Sequence, residues 1–310
     1  MDRAMPRKKI PTFPEFIDVS PELQVEIESF THSFEPYSDF NFFSLYSWDT
    51  VSNRKVSILN NNLVAQMTDY ETGEPLLSFL GTNNQVETIK SLIKHAQELG
   101  LSETLHYVPE VSVSKINDSF IIINEKRGDF DYLYSVKDIA ELKGGKYSKK
   151  RQLTNVFIKN NPGAHFVQED MSNIKSDTEI LEILKNWQEN KTNSDKECDL
   201  DHEPVAIDRL LKLKDKSKLI LSYVLIEGKA VAFSIDEILP NKYALAHYSK
   251  FDTTYRGVNE YLNRRIATEL IAKGVELWNW EQDLDLENLR YSKMSYLPTK
   301  FINKYSIALR

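Results

Sequence analysis

Apolar residues at Val86, Ile89, Leu92, Ile93, Ala96 and Leu99 recur at three- and four-residue intervals, and Gly100 follows them. This spacing predicts an amphipathic helix over 85–99 that stops at the glycine. Ahead of it, apolar stretches at 55–59, 63–68 and 76–80 are separated by Asn60, Asn61 and Gly73. Short strands divided by turn residues predict an antiparallel meander. Further strands are predicted near 105–108, 120–124 and 132–134. Ser20, Pro21 and Glu22 open an earlier helix, with proline in its first turn.

The second half repeats this order. Strands at 218–226, 230–237 and 242–249 are divided by Glu227-Gly228 and Pro240-Asn241. A helix over 259–273 follows, with Leu262, Ile266, Leu270 and Ile271 inward and Gly274 as its stop. A strand at 275–280, a short helix at 286–293 and a final strand at 301–308 complete the chain. Two rounds of the same element order predict two similar mixed-sheet α/β (α+β) units. Between them, 135–213 reads as a helical connector, so the predicted units are 1–134 and 135–310.

Composition narrows the function. A chain of 310 residues corresponds to about two domains. Its 39 Lys and Arg against 46 Asp and Glu give a charge of −7, which argues against a protein coated uniformly by nucleic acid and leaves room for a local basic patch. Cys198 is the only cysteine, so no intrachain disulfide forms, as expected of a cytoplasmic protein. No apolar run approaches the roughly 20 residues of a membrane span, and no apolar stretch follows the charged start. The sequence lacks G-x-G-x-x-G, a phosphate loop of the Walker type and G-x-S-x-G. Its six histidines show no metal-ligand spacing, and no metal is expected.

Three segments carry candidate chemistry. Arg256 and Gly257, with Val258 and Asn259, stand at the mouth of the second long helix, where exposed N–H groups and the helix dipole suit a phosphate. The same glycine also suits an ordinary strand-to-helix turn. Residues 142–168 contain no Asp or Glu, and Lys146, Lys149 and Lys150 fall on one helical face beside Arg151. Such a face holds phosphates or is merely solvated. Glu281 and Asp283 follow a strand end, where open sheets place ligands, and either is a candidate base. Arg290 and Lys293 share a face of the next helix, and a buried Glu–Arg pair that holds the final hairpin is the competing structural role. His247 is a further candidate on the grounds of its near-neutral pKa.

Together, S-D-F-N-F-F-S-L-Y-S-W (38–48), D-Y-L-Y-S (131–135), G-G-K-Y-S-K-K-R (144–151), H-Y-S-K (247–250), Y-R-G-V-N (255–259), E-Q-D (281–283) and L-R-Y-S-K-M-S-Y-L-P (289–298) resemble a bacterial family related to the C-terminal domain of phosphatidylglycerol lysyltransferases. The resemblance implies two tandem GNAT-like acyltransferase units, as in Fem-type peptidyl transferases. It implies transfer of an acyl or aminoacyl group from a coenzyme A thioester or an aminoacyl-tRNA to an amine or hydroxyl on a small acceptor. Two departures stand out. The membrane-embedded part of the lipid enzymes is absent from this sequence, leaving at most peripheral contact with an anionic membrane. The acetyl-CoA loop is degraded, with Thr254 and Asn259 replacing two of its residues.

On this reading Arg256, Gly257, Val258, Asn259 and the Lys146, Lys149, Lys150 and Arg151 face bind phosphate. Glu281 or Asp283 takes the acceptor's proton, and Arg290, Lys293 and Tyr296 position substrate or stabilise charge. The competing class is a non-catalytic module that holds tRNA or another polyanion on the basic face. No activated nucleophile is visible in the sequence, so no covalent enzyme intermediate is expected.

Overall fold

The computed structural model describes residues 9–70, 72–173 and 202–310; Cys198 lies outside them. The meander predicted at the start is present. Strands β1 (Ile17–Asp18), β2 (Lys55–Leu59), β3 (Asn62–Thr68) and β4 (Pro75–Leu80) form an antiparallel four-stranded sheet in that order. Two helices lie between β1 and β2, α1 (Gln24–Thr31) and α2 (Phe42–Ser47). Asn41 caps α2, its side-chain oxygen accepting from the N–H groups of Phe43 and Ser44. Helix α3 (Gln85–Leu99) has the predicted bounds and ends at Gly100 with φ +68°. Its Ile89, Leu92, Ile93 and Ala96 pack on Val64, Leu77 and Phe79 of the sheet.

Strands β5 (Leu105–Pro109) and β6 (Ile121–Glu125) do not extend that sheet. They form a separate three-stranded sheet with the last strand of the chain between them. Strand β7 (Asp131–Ser135) leaves the first half altogether and pairs within the large sheet of the second. The position 134/135, read from sequence as a unit boundary, falls inside this strand.

The connector carries helices α4 (Val136–Glu141) and α5 (Ser148–Asn160), then strand β8 (His165–Asp170), where the sequence predicts a helical stretch. The turn at Asn161, Pro162 and Gly163 ends the helix, and the edge of a sheet pairs the strand, which periodicity alone does not reveal. Helix α6 (Glu203–Leu211) precedes a three-strand meander, β9 (Leu219–Ile226), β10 (Lys229–Leu239) and β11 (Tyr243–Phe251). Helix α7 (Val258–Ala272) leads to β12 (Leu277–Asn279), parallel to β11. After helix α8 (Glu287–Met294), the predicted final strand is in fact two, β13 (Lys300–Ile302) and β14 (Lys304–Leu309).

The resulting seven-stranded mixed sheet runs β13-β7-β12-β11-β10-β9-β8. One face packs against α7, with Leu262, Ile266 and Leu270 beside Tyr132, Tyr134 and Trp278. In the other core, Leu221, Phe233 and Ile235 join Phe40, Phe42, Leu45 and the meander residues Val56, Leu63 and Met67. That core is shared by both halves. Among the described residues no helix is long and apolar enough to cross a membrane.

The chain crosses between sheets at Asn303, and the next residue is a fully buried lysine. Lys304 Nζ donates to Asp39 Oδ2 (2.5 Å) and Asp131 Oδ1 (2.7 Å), with Gln282 Oε1 at 3.2 Å and Ser38 Oγ at 3.3 Å. Asp131 also accepts from the Ser38 N–H (2.9 Å) and Asn279 Nδ2 (3.2 Å). Burial alone would lower the Lys304 pKa, but the two carboxylates outweigh it and hold the ammonium above its ordinary value. Replacing Lys304 by Met leaves both carboxylates buried without a cation, a change worth about 3–5 kcal/mol. Urea denaturation of Lys304→Met is expected to show a loss of that order; a loss under about 1 kcal/mol would make the network incidental.

Candidate active site

A cavity of about 250 Å³ opens where the two halves meet, between α2, the middle of β10, the second half of β11, the first turns of α7, and the segment from β12 to α8. Trp48 and Tyr70 come from the first half; Trp278, Trp280 and Phe251 come from the second. Aromatic walls keep the local dielectric low and strengthen the effect of the few charges among them. Of the residues singled out in the sequence, Glu281, Lys293, His247 and Asn259 reach this cavity.

Glu281 sits in a turn with φ +56° just beyond β12. Its N–H is held by Asn279 Oδ1 at 2.7 Å. Among the described residues no side chain hydrogen-bonds its carboxyl group. Burial pushes its pKa up to about 8; the nearby Lys293 pulls it down, and the Asp131 and Asp39 charges of the Lys304 network push it higher. Lys293 projects from α8 and donates to the carbonyls of Trp280 (2.6 Å), Glu281 (3.2 Å) and Gln282 (2.5 Å). Burial lowers its pKa to about 8 against the pull of Glu281. Three carbonyl acceptors fit an ammonium group, and they fix the turn that presents the Glu281 carboxyl.

Asp283 and Arg290 belong elsewhere. The Asp283 side chain is fully buried and lies off the cavity. It accepts two hydrogen bonds of 2.9 Å from Arg290 and one of 2.5 Å from the Tyr132 hydroxyl. Burial raises its pKa, but Arg290 and Tyr132 together overcome that and leave it below the usual carboxylate value. Arg290, also bonded to Asp285, is occupied by carboxylates and does not border the cavity. The pair has a structural role of the kind the sequence suggests as the alternative, with Asp283 rather than a glutamate as the partner, and its bidentate geometry satisfies the buried carboxylate. Tyr296 is 1% exposed and stands behind Trp280, its hydroxyl accepting from Asn263 Nδ2 at 3.3 Å.

The helix mouth is also built for packing. Gly257 has φ +88°, and a Cβ there would lie 2.2 Å from the Leu153 carbonyl oxygen of α5. Glycine is needed because another backbone crosses it. That carbonyl is an acceptor and repels phosphate oxygens, Val258 is in the core, and Arg256 points outward. Asn259 alone of this group lines the cavity, with Oδ1 accepting from Asn263 at 3.0 Å.

The basic face divides in the same way. Lys150 points inward, 3.2 Å from Glu260 and 3.7 Å from the Tyr296 ring centroid, and its pKa is lowered by burial. Arg151 donates to the carbonyls of Leu142 and Gly144 and so closes the end of α4. Lys146 pairs loosely with Asp138 at 3.6 Å, and Lys149 is exposed. The expected shared face fails because 145–147 form a tight 3₁₀ turn and α5 begins only at Ser148.

His247 is the extra residue of a β-bulge. Ile235 pairs with Tyr248 and Asp236 with Ala246, so His247 has no partner across the ladder. Bulges re-aim side chains, and this one turns the imidazole into the cavity wall. Its Nε2 lies 3.2 Å from Glu237 Oε2 and its Nδ1 3.5 Å from Ser44 Oγ. Sequence reasoning assigned no role to Ser44 or Glu237. Nor did it single out Trp48, Tyr70 or Asp236, whose pKa burial pushes up to about 7 while it accepts from Trp278 Nε1. The available signal was S-D-F-N-F-F-S-L-Y-S-W, a polar-studded aromatic segment used for the family resemblance alone.

The Asp283 pair carries a pH-dependent prediction. A carboxylate with a lowered folded pKa contributes stability above its ordinary value, and that stability is lost as pH falls through the folded one. Arg290→Ala is expected to cost about 2 kcal/mol near neutral pH, less than a fully buried pair because Arg290 is partly exposed. The cost should vanish in acid. Melting curves across pH 2–7 measure it roughly, and a pH-independent loss would disconnect it from Asp283.

The arrangement has known relatives. A conserved protein of unknown function from Bacteroides thetaiotaomicron is 24% identical, with a TM-score of 0.81 over 95% of this chain and 99% of that one. L-PGS from Bacillus licheniformis is 14% identical, with a TM-score of 0.60 over 97% and 94%. FemX is 9% identical, with a TM-score of 0.55 over 96% and 97%. These likenesses show that the three proteins share this mixed α/β fold along nearly their whole lengths. No curated protein matches the sequence. The family model described as "Phosphatidylglycerol lysyltransferase, C-terminal" matches residues 32–308, and the chain belongs to that family.

Proposed function

We propose that this protein transfers an aminoacyl or acyl group from an activated ester to an amine or hydroxyl acceptor inside the cavity between its halves. One observation carries the reading: the cavity holds Glu281, a carboxyl group without a hydrogen-bonded side-chain partner among the described residues and raised to about 8 by burial. A carboxylate with a raised pKa is a stronger base than an exposed one and accepts the acceptor's proton as the new bond forms. Lys293 holds the turn that presents it, and the aromatic walls exclude water that would hydrolyse the activated group.

The family description, a lysyltransferase, favours an aminoacyl ester as donor, and the sequence resemblance implies aminoacyl-tRNA as its carrier. Lys149 faces outward and Lys146 is only loosely paired with Asp138, so this part of the basic run is available to a polyanion or an anionic membrane surface. A purely polyanion-binding module is the weaker reading, because Lys150 is paired with Glu260 and Arg151 is engaged by carbonyls at the end of α4.

Transfer is tested by incubating the protein with radiolabelled aminoacyl-tRNA or acyl-CoA and a panel of small amines, hydroxyl compounds and anionic lipids. Glu281→Gln is expected to slow transfer by about 100-fold or more. Because the base must first lose its proton, the wild-type rate should rise with pH through about 8. A flat profile, or an unimpaired Glu281→Gln, would remove Glu281 from the chemistry.

A further inference from the structure

Also at the cavity, three side chains from three elements form a chain of contacts. Ser44 Oγ, from α2, lies 3.5 Å from His247 Nδ1 on β11, and His247 Nε2 lies 3.2 Å from Glu237 Oε2 on β10. We propose that Ser44 is an acyl-accepting nucleophile, with His247 as its proton acceptor and Glu237 as the group that orients and stabilises the imidazole. This rests on the reading of the cavity as an acyl-transfer site and adds a covalent intermediate to it. No hydrolase motif in the sequence announces it.

Four features of the structure support this role. The first is the tautomer: Nε2–H donates to the Glu237 carboxylate, so Nδ1 presents its lone pair to the Ser44 hydroxyl. The second is charge. The Glu237 side chain is 1% exposed, and its hydrogen-bonding partners here are His247 and the neutral amide of Asn41 at 2.6 Å. With no cation among its described partners, that carboxylate is placed to stabilise the positive charge His247 takes up when serine gives up its proton.

The third is positioning. Asn41 donates to Glu237 through Nδ2, while its Oδ1 accepts from the N–H of Ser44 and caps α2. One side chain thus ties the acid to the helix that carries the nucleophile. The bulge at His247 supplies the remaining aim, and the Phe43 ring packs edge-on against the imidazole at 6.0 Å. The fourth is access, because Ser44 and His247 both border the cavity. The serine–histidine contact is longer than a mature hydrogen bond, as it often is before substrate binds.

The step balances. Ser44 Oγ bonds to the acyl carbon of an ester or thioester, and its proton passes to His247 Nδ1. The bond to the leaving oxygen or sulfur breaks, and that atom takes the proton. The acceptor amine or hydroxyl, or water in its absence, then attacks the acyl-serine. In this route His247 Nδ1, rather than Glu281, takes that proton and returns it to Ser44 Oγ as the ester opens; Glu281 takes it in direct attack.

The test uses a fluorophosphonate, which phosphonylates activated serines and needs neither donor nor acceptor. Intact-mass and peptide mass spectrometry of the whole protein are expected to find a single adduct on Ser44. Labelling should be absent in Ser44→Ala and at least 100-fold slower in His247→Gln, with the fold of each confirmed by its melting curve. No adduct on the folded wild type, or an adduct elsewhere, overturns the proposal irrespective of how any variant folds. So does Ser44→Ala transferring aminoacyl groups at the wild-type rate, in which case the transfer reading stands with direct attack. Labelling of Ser44 without transfer to any acceptor keeps the nucleophile and removes the transfer reading.

Discussion

A lysine ammonium buried between two aspartates organises this molecule. Lys304 begins the last strand, Asp131 begins the strand that moves into the large sheet, and Asp39 lies just ahead of α2. Each is costly to bury alone, and together they hold in place the points at which the halves exchange strands. Two acids against one cation leave an excess negative charge in the interior. That charge reaches Glu281 and helps to raise its pKa, so the ion network that fixes the fold also sets the electrostatics of the cavity.

The cavity has two differently equipped walls. On one, Glu281 is presented by a turn whose carbonyls are gathered by Lys293. On the other, His247 is turned inward by a bulge and flanked by Glu237 and Ser44. Both walls place an ionisable group at a backbone irregularity, a left-handed residue in one case and an unpaired strand residue in the other. Regular ladders send side chains alternately to the two faces, so a site that needs adjacent groups on one side breaks the ladder.

The C-terminal motif shows how neighbouring positions on one helix separate in role. Arg290 and Lys293 lie three residues apart on α8. Arg290 meets a buried carboxylate, whereas Lys293 reaches carbonyls at the cavity. A planar fork suits the first partner and a compact ammonium the second. In the same way the lysine-rich connector looks uniform as text, yet Lys150 and Arg151 hold helices together while Lys149 faces outward.

Local order was legible in the sequence. Helix α3 and strand β2 have the bounds that their apolar spacing predicts, the glycine stops fall where helices end, and both meanders follow their turn residues. Such features depend on periods of two and 3.6 residues and on turn preferences, which act over a few neighbours. Glu281, Lys293 and His247 were also recognisable as cavity candidates, because strand ends and titratable types are visible in a string of letters. The tertiary structure decided the rest. It split the final strand at Asn303, moved β7 into the second sheet, gave Asp283 to Arg290 and brought Ser44 to His247 across 203 positions of sequence. Those outcomes rest on which buried charges find partners, and a partner distant in the chain leaves no periodic trace.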